Sequence, residues 1–410
     1  MKNPLPVLLF ALLACPLAPA QSNTGMTPPA ANVGGAGPSA GGDRSGNYHL
    51  SFTQTEWTGE QAGSVVSDSA LSGDISEQFG SQVHPFSAVY SARFDWADGG
   101  QLGENGMLQG LDLTQKWISP RSSLTVSDSI NYWDTFTPDQ GASSGMLSGP
   151  TPGVFSYSTQ MLDNSAAASW YRSATQRITL NSSALETTSR FLDGYGYDID
   201  QFDADGGLSW RMNQKSSLGF QSSYRAFTYV GQNLSYRTIY AGGTYSTMIR
   251  RTSVSFGAGP LWVVSSSPGN STTSNSYQTF VDISRTTADR NQYAVEWSHY
   301  VGNGSGYMLG AESDMASADF SHAFGPRSSF NVEAQYSNSN ALDGNQNIIS
   351  RGLRGNFSRK LSRHFSAYVS YGATSQSLSG AFANPNLVNS ILQYATAGVS
   401  YTNSLANLFH

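Results

Sequence analysis

The chain has 410 residues, of which only 12% are charged, well below the usual globular share. Its net charge is -6 and its pI near 5.5, and no basic patch is visible along the sequence, which argues against a nucleic-acid partner. Mean hydropathy is -0.32 although aromatics reach 12%, so Ser, Thr, Asn, Gln and 42 Gly carry the polarity. An ordinary soluble surface would use charge instead.

The N-terminus reads as an export signal over residues 1–20. Lys2 supplies a positive start, Leu5 to Leu13 an apolar core, and Ala18-Pro19-Ala20 a small-residue cleavage site, so the mature chain is expected to begin at Gln21. That run is too short to span a bilayer, and no later stretch reaches about 18 unbroken apolar residues. Cys15, the one cysteine, lies in the signal. The sequence around it partly matches a lipoprotein box, which would leave Cys15 lipidated. Otherwise the mature chain has no disulfides, thiolate metal sites or thiol nucleophiles. Residues 21–46 are rich in Pro, Gly, Ala and Ser and predict a disordered, flexible tether. Residues 47–84 are ambiguous. Tyr48 to Trp57 alternates briefly, whereas Val65, Leu71, Ile75 and Phe79 fit a weak helical spacing. The segment is expected to be a periplasmic or plug element, with one more pair of strands as the alternative.

From residue 85 the pattern is one of hairpins. Phe86, Ala88, Tyr90, Ala92, Phe94 and Trp96 share one face, and Ser87, Ser91, Arg93 and Asp95 the other. Ala318 to Tyr336 repeats this on both sides of Gly325-Pro326. Seven short turns of similar character follow one another, centred near residues 120, 174, 213, 250, 288, 326 and 363. Longer loops rich in Gly, Ser, Asn, Asp and Pro separate them: Phe136 to Gln160, Asp193 to Asp200, Ser265 to Ser276, Gly302 to Gly306, Asn338 to Asn347 and Ser377 to Asn389. The first is the longest and is the candidate constriction or lid. Strands of roughly 10–12 residues between alternating short and long connections predict an all-β, transmembrane, antiparallel up-and-down β-barrel over residues 85–410. The expected count is about sixteen strands, within a range of roughly 14–18. Even parity lets the barrel close, and closure is required because an open edge in lipid strands unpaired backbone groups.

The two faces then acquire addresses. Trp117, Trp170, Trp210, Tyr245 and Phe324 lie near the short turns. Tyr132, Tyr224, Trp262, Trp297, Tyr336 and Tyr371 are expected towards the other strand ends, giving two interfacial rings. The opposite, polar face carries Arg93, Lys116, Arg211, Arg225 and Arg354 with Asp95, Asp112, Asp205, Asp282, Glu296, Asp319 and Glu333. These twelve are the candidate pore-lining residues. Asp128 falls on the lipid-side face, so a slip of register or a bulge is expected there.

No catalytic set is legible. His364-Phe365-Ser366 resembles the His-x-Ser of outer-membrane phospholipases, but Ala367 and Tyr368 follow where that family carries Asn-Gly. The six His are dispersed without metal-ligand spacing, and Gly257 and Gly259 stand outside any phosphate-loop pattern. No enzyme activity, cofactor or metal is predicted.

In organisation, the signal, the cysteine-free mature chain, the aromatic-flanked hairpins and the Pro-Arg-Ser-Ser turns resemble Gram-negative outer-membrane β-barrels of porin type. The resemblance covers about Pro85 to Phe409 and rests on pattern. It departs from those barrels at the end, where Phe409 is penultimate to His410. It implies a channel in the cell outer membrane for passive diffusion of small polar solutes or ions. The partners it implies are outer-membrane lipid and the barrel-assembly machinery. The alternative is a structural or accessory barrel in envelope or exopolysaccharide export, with a periplasmic partner for residues 21–84.

Overall fold

The computed structural model describes residues 45–59, 66–98, 106–134, 160–287, 291–382, 387 and 389–404. The expected signal, Cys15, most of the tether and nearly all of the loop from Phe136 to Gln160 lie outside them. The strands are β1 (Ser45–Gly59), β2 (Val66–Ser81), β3 (His84–Asp98), β4 (Gly106–Ser119), β5 (Ser122–Asp134) and β6 (Gln160–Ser173). They continue with β7 (Ile178–Phe191), β8 (Ile199–Arg211), β9 (Ser216–Tyr229), β10 (Leu234–Ile249), β11 (Thr252–Ser267) and β12 (Asn270–Thr286). The last are β13 (Asn291–Gly302), β14 (Ala311–Ala323), β15 (Ser328–Ala341), β16 (Asn347–Lys360), β17 (Phe365–Ser379) and β18 (Ile391–Ser404).

Each strand pairs antiparallel with the next, and β18 returns to β1 from Asn47↔Ser404 to Gly59↔Leu392. The sheet is therefore a closed, 18-stranded up-and-down barrel. Closure satisfies every edge, as a wall in lipid demands. Short turns collect at one end together with the start of β1 and the end of β18, and the longer connections at the other; these are the turn end and the loop end. In outer-membrane barrels the turn end faces the periplasm.

The count is 18 strands where about sixteen were expected, and the extra pair is β1 and β2. The segment expected as a periplasmic or plug element is thus part of the wall. Leu71, Ile75 and Phe79 recur every fourth residue, a spacing that a helix also satisfies. In β2 they lie on the outer face, alternating with Gly73 and Glu77, and Leu71 pairs with Phe52 and Phe94. Strands of 12 to 17 residues exceed the expected length. The stretch from Ser265 to Ser276, expected as a loop, is strand except at Pro268-Gly269.

Burial alternates along each strand and fixes the faces. In β3, Ser91, Arg93 and Asp95 are buried while Tyr90, Phe94 and Trp96 are exposed on the outer face. In β17 and β18, Ser370, Gly372 and Thr374 point inward with Leu392, Tyr394 and Thr396. Asp128 shows neither a slip nor a bulge. It keeps its outer-face position between Leu113 and Ala166 in an unbroken ladder. Glu186 stands beyond Ala166 in the same row. Around this row the outer face of β6 and β7 carries the small Ala166, Ala168 and Ala184 beside Glu186.

Candidate functional site

The lumen is the site, and its two ends differ. At the turn end and mid-wall the inner face is polar. Cross-strand hydroxyl pairs run along it: Ser129 with Ser165 at 2.7 Å, Ser217 with Ser246 at 2.6 Å and Ser366 with Ser400 at 2.6 Å. A belt of carboxylates crosses β12 to β15. Asp282 is paired in register with Glu296, Asp319 with Glu333, and Glu333 in turn with Arg354 on β16. Asn331 Nδ2 donates to Asp319 Oδ2 at 2.8 Å.

At the loop end the inner face turns apolar. Leu108, Trp133, Met161, Phe191, Ile199, Phe227, Tyr229, Tyr236, Leu261 and Val263 are all buried and point inward. What covers them is the connection between β13 and β14, which folds into the barrel. Its Tyr307 packs in a cluster with Leu108, Trp133, Met161, Phe191 and Leu387. Met308 packs with Ala311, Ala341 and Ile348, and Val301 joins the cluster of β8 to β11. The Tyr307 and Phe191 rings meet edge-on at 5.5 Å.

Polar bonds fasten this inward segment to β8, to β9 and to two loop-end connections. Arg225 Nη1 donates to Val301 O at 3.0 Å while its Nε holds Asp203 at 3.0 Å. Tyr229 Oη donates to Asn303 O at 2.7 Å. Asn303 Nδ2 donates to Gln201 Oε1 at 2.8 Å, and Gln201 Nε2 to Asp203 Oδ2 at 3.0 Å. The backbone N–H of Tyr197 reaches Gly306 O at 2.7 Å, and that of Leu342 reaches Gly310 O at 3.1 Å. Glycine is needed at two of these points. Gly306 sits at φ 76 with Phe191 so close that a Cβ would lie 2.4 Å from its ring, and Gly310 sits at φ 79 against Leu342.

Register places Arg93, Asp95, Asp112, Lys116, Asp205, Arg211, Arg225, Asp282, Glu296, Asp319, Glu333 and Arg354 on the inner face. They do not form one cluster. Arg93 and Asp95 make a buried pair at 2.7 Å near the loop end. Lys116 and Arg211 sit at the turn-end rim. Arg225 is a fastener of the inward segment. Sequence reasoning missed its partner Asp203, the linked Gln201, Tyr229 and Asn303, and the buried Tyr307 and Met308. A signal was present: Leu261-Trp262-Val263-Val264 and Tyr307-Met308-Leu309 break the alternation with continuous apolar runs, as segments buried on both sides do.

The candidate interfacial aromatics lie on the outer face. Trp117, Trp170, Trp210, Tyr245 and Phe324 sit near the turn end. Tyr132 lies near the loop end, with Trp262 in the loop-end half of β11. Tyr224, Trp297 and Tyr336 are mid-strand and Tyr371 is in the turn-end half of β17, so the second group is spread over the wall. Among the described residues there is no cluster of His, Cys, Asp and Glu suited to a metal ion.

No protein-family model matches the chain, and no curated protein matches it in sequence. Solved structures do resemble it. The crystal structure of Pseudomonas aeruginosa OccK2 (OpdF) matches with a TM-score of 0.51 at 10% identity, covering 88% of this chain and 98% of that one. That of Acinetobacter baumannii OccAB2 gives 0.49 at 9% identity, over 88% and 98%. At such identities the likeness concerns the fold alone, a closed antiparallel β-barrel.

Proposed function

We propose that the protein is an outer-membrane channel for passive diffusion of small polar solutes or ions, closed at its loop end in this conformation. The observation that carries this reading is the closed 18-stranded wall with an apolar outer face and a polar inner face. Such a wall suits lipid outside and water inside. Carboxylates crowd the inner face of β12 to β15, so cations are the favoured ions. On this reading outer-membrane lipid contacts the outward aromatics, and the barrel-assembly machinery inserts the chain.

A specific observation also favours the alternative of an accessory barrel: the loop-end lumen is filled. Planar-bilayer recording of the refolded full chain separates the two. A channel gives stepwise conductance with a cation-side reversal potential in a salt gradient, and Asp282→Asn with Glu296→Gln moves that potential towards zero. An inserted barrel that stays silent even when the inward segment is shortened favours the accessory role. Removing residues 21–44 then tests the tether for a periplasmic partner, since deletion further in would cut β1 out of the wall.

A further inference from the structure

The turn-end rim carries a ring of positive charge that the channel reading does not use. Exposed Arg121, Arg177, Lys215, Arg250, Arg327 and Arg363 stand on six successive or near-successive turns, from β4–β5 round to β16–β17. Among the described residues, these turns and the three strand residues flanking each contain no Asp or Glu. The loop end is the reverse. Asp193, Asp198 and Asp343 lie in its connections, and Arg190 is the one basic side chain among the described residues there and within three strand positions of them. A chain of net charge -6 has thus gathered most of its cations at one rim.

Three further arginines give the ring a direction. Arg172, Arg285 and Arg359 lie on the outer face of β6, β12 and β16, exposed, and none is in an ion pair with a described residue. They sit beside the lipid-facing aromatics of that end: Arg172 is two residues from Trp170, and Arg285 is the register partner of Tyr293. Trp and Tyr mark the level where acyl chains meet headgroups, so these guanidinium groups stand at headgroup level, just outside the wall. A protein partner would call for charge on one side of the barrel. This charge runs most of the way round it, which matches an annulus of lipid.

We propose that the turn-end rim is a binding surface for anionic phospholipid headgroups of the adjoining leaflet, with Arg172, Arg285 and Arg359 as its lipid-facing contacts. Guanidinium groups pair with phosphate through two parallel N–H···O bonds, and each basic residue at an anionic surface adds attraction. The proposal rests on the reading of the barrel as membrane-spanning.

The test uses the refolded full chain in phosphatidylcholine vesicles containing a fraction of brominated phosphatidylglycerol or brominated phosphatidylcholine. Lipid-facing Trp117, Trp170 and Trp210 report the bromine by quenching. Co-flotation with the vesicles checks the membrane reading separately; a chain that stays out of the vesicles overturns both. The inserted protein is expected to prefer phosphatidylglycerol. The triple variant R172Q/R285Q/R359Q should lose that preference by about five-fold, the size one basic residue supplies at an anionic surface, while Arg237→Gln, on the outer face near the loop end, should leave it unchanged. Should the triple variant fail to refold, high salt on the unaltered protein serves instead, and the preference should collapse as headgroup pairing is screened. Equal quenching by the two brominated lipids overturns the proposal. So does binding of soluble poly-glutamate without any lipid preference, which would make the ring a dock for an acidic polymer.

Discussion

The two halves of the lumen follow different rules of construction. The turn-end half spends its inward positions on Ser, Thr, Asn and carboxylates, held by cross-strand hydroxyl pairs such as Ser129 with Ser165. The loop-end half spends the same positions on Leu, Met, Phe and Tyr, and folds Val301 to Ala311 across them. Nearly all of the largest fully buried side chains belong to the second half: Tyr229, Tyr240, Phe227, Leu108, Met161 and Met308 among them. A polar inner wall needs water to satisfy it, whereas an apolar one excludes it. On the proposed channel reading, the barrier to passage lies at the loop end and selectivity in the turn-end half.

Breaking the fastener should have the largest effect. Arg225→Met leaves Asp203, only 13% exposed, without its cation. Removing one partner of a buried pair typically costs about 3–5 kcal/mol, and partial exposure of Arg225 brings this towards the lower figure. Urea unfolding in vesicles should show the loss, and bilayer recording should show more frequent opening because Val301 is released too. A comparison of inner and outer positions on one strand comes next. Val332 faces outward between Phe320 and Gly355, and Gln335 faces inward between Ser317 and Gly352. Val332→Lys, in the turn-end half of β15, should cost about 1–2 kcal/mol, between the midplane and interface values. Gln335→Lys should instead leave stability nearly unchanged and alter conductance and ion preference. Equal tolerance at the two sites would contradict the assignment of faces. The smallest effect is expected at Asp128. Its carboxylate is exposed on the outer wall beside Ala166, and acids there cost less than Arg or Lys. Asp128→Leu should raise stability by roughly 1 kcal/mol, measured in the same unfolding assay.

Much of the wall was legible in the sequence because period-two alternation survives wherever one face meets lipid and the other is polar. Phe86 to Trp96 and the hairpin around Gly325-Pro326 are of this kind. The reading weakened where side chains were small or sparse. In β2 only Leu71, Ile75 and Phe79 mark the outer face, and their spacing suits a helix as well as every second strand position. It also weakened where both faces are buried. Phe227 and Tyr229 point inward at the end of β9, where an isolated barrel wall predicts polar residues, because Val301 and the segment after it supply a second layer. Arg225 was legible as an inward side chain. Its role was hidden, since Asp203 is its cross-strand partner on β8 but Val301, on β13, reaches it only through the tertiary fold. Asp128 stands on the lipid-side face that its alternation gives, and neither the slip nor the bulge expected there is present.

On the proposed reading the β13–β14 segment closes the loop end. Gly302 pairs directly with Ala311, so the residues between them can be replaced by a two-residue Asn-Gly turn without disturbing the wall. Single-channel recording of that variant in a planar bilayer tests the claim most directly. Stepwise conductance several-fold above that of the unaltered protein, with the same preference for cations, is expected. Unchanged conductance in a variant that inserts and folds would contradict it.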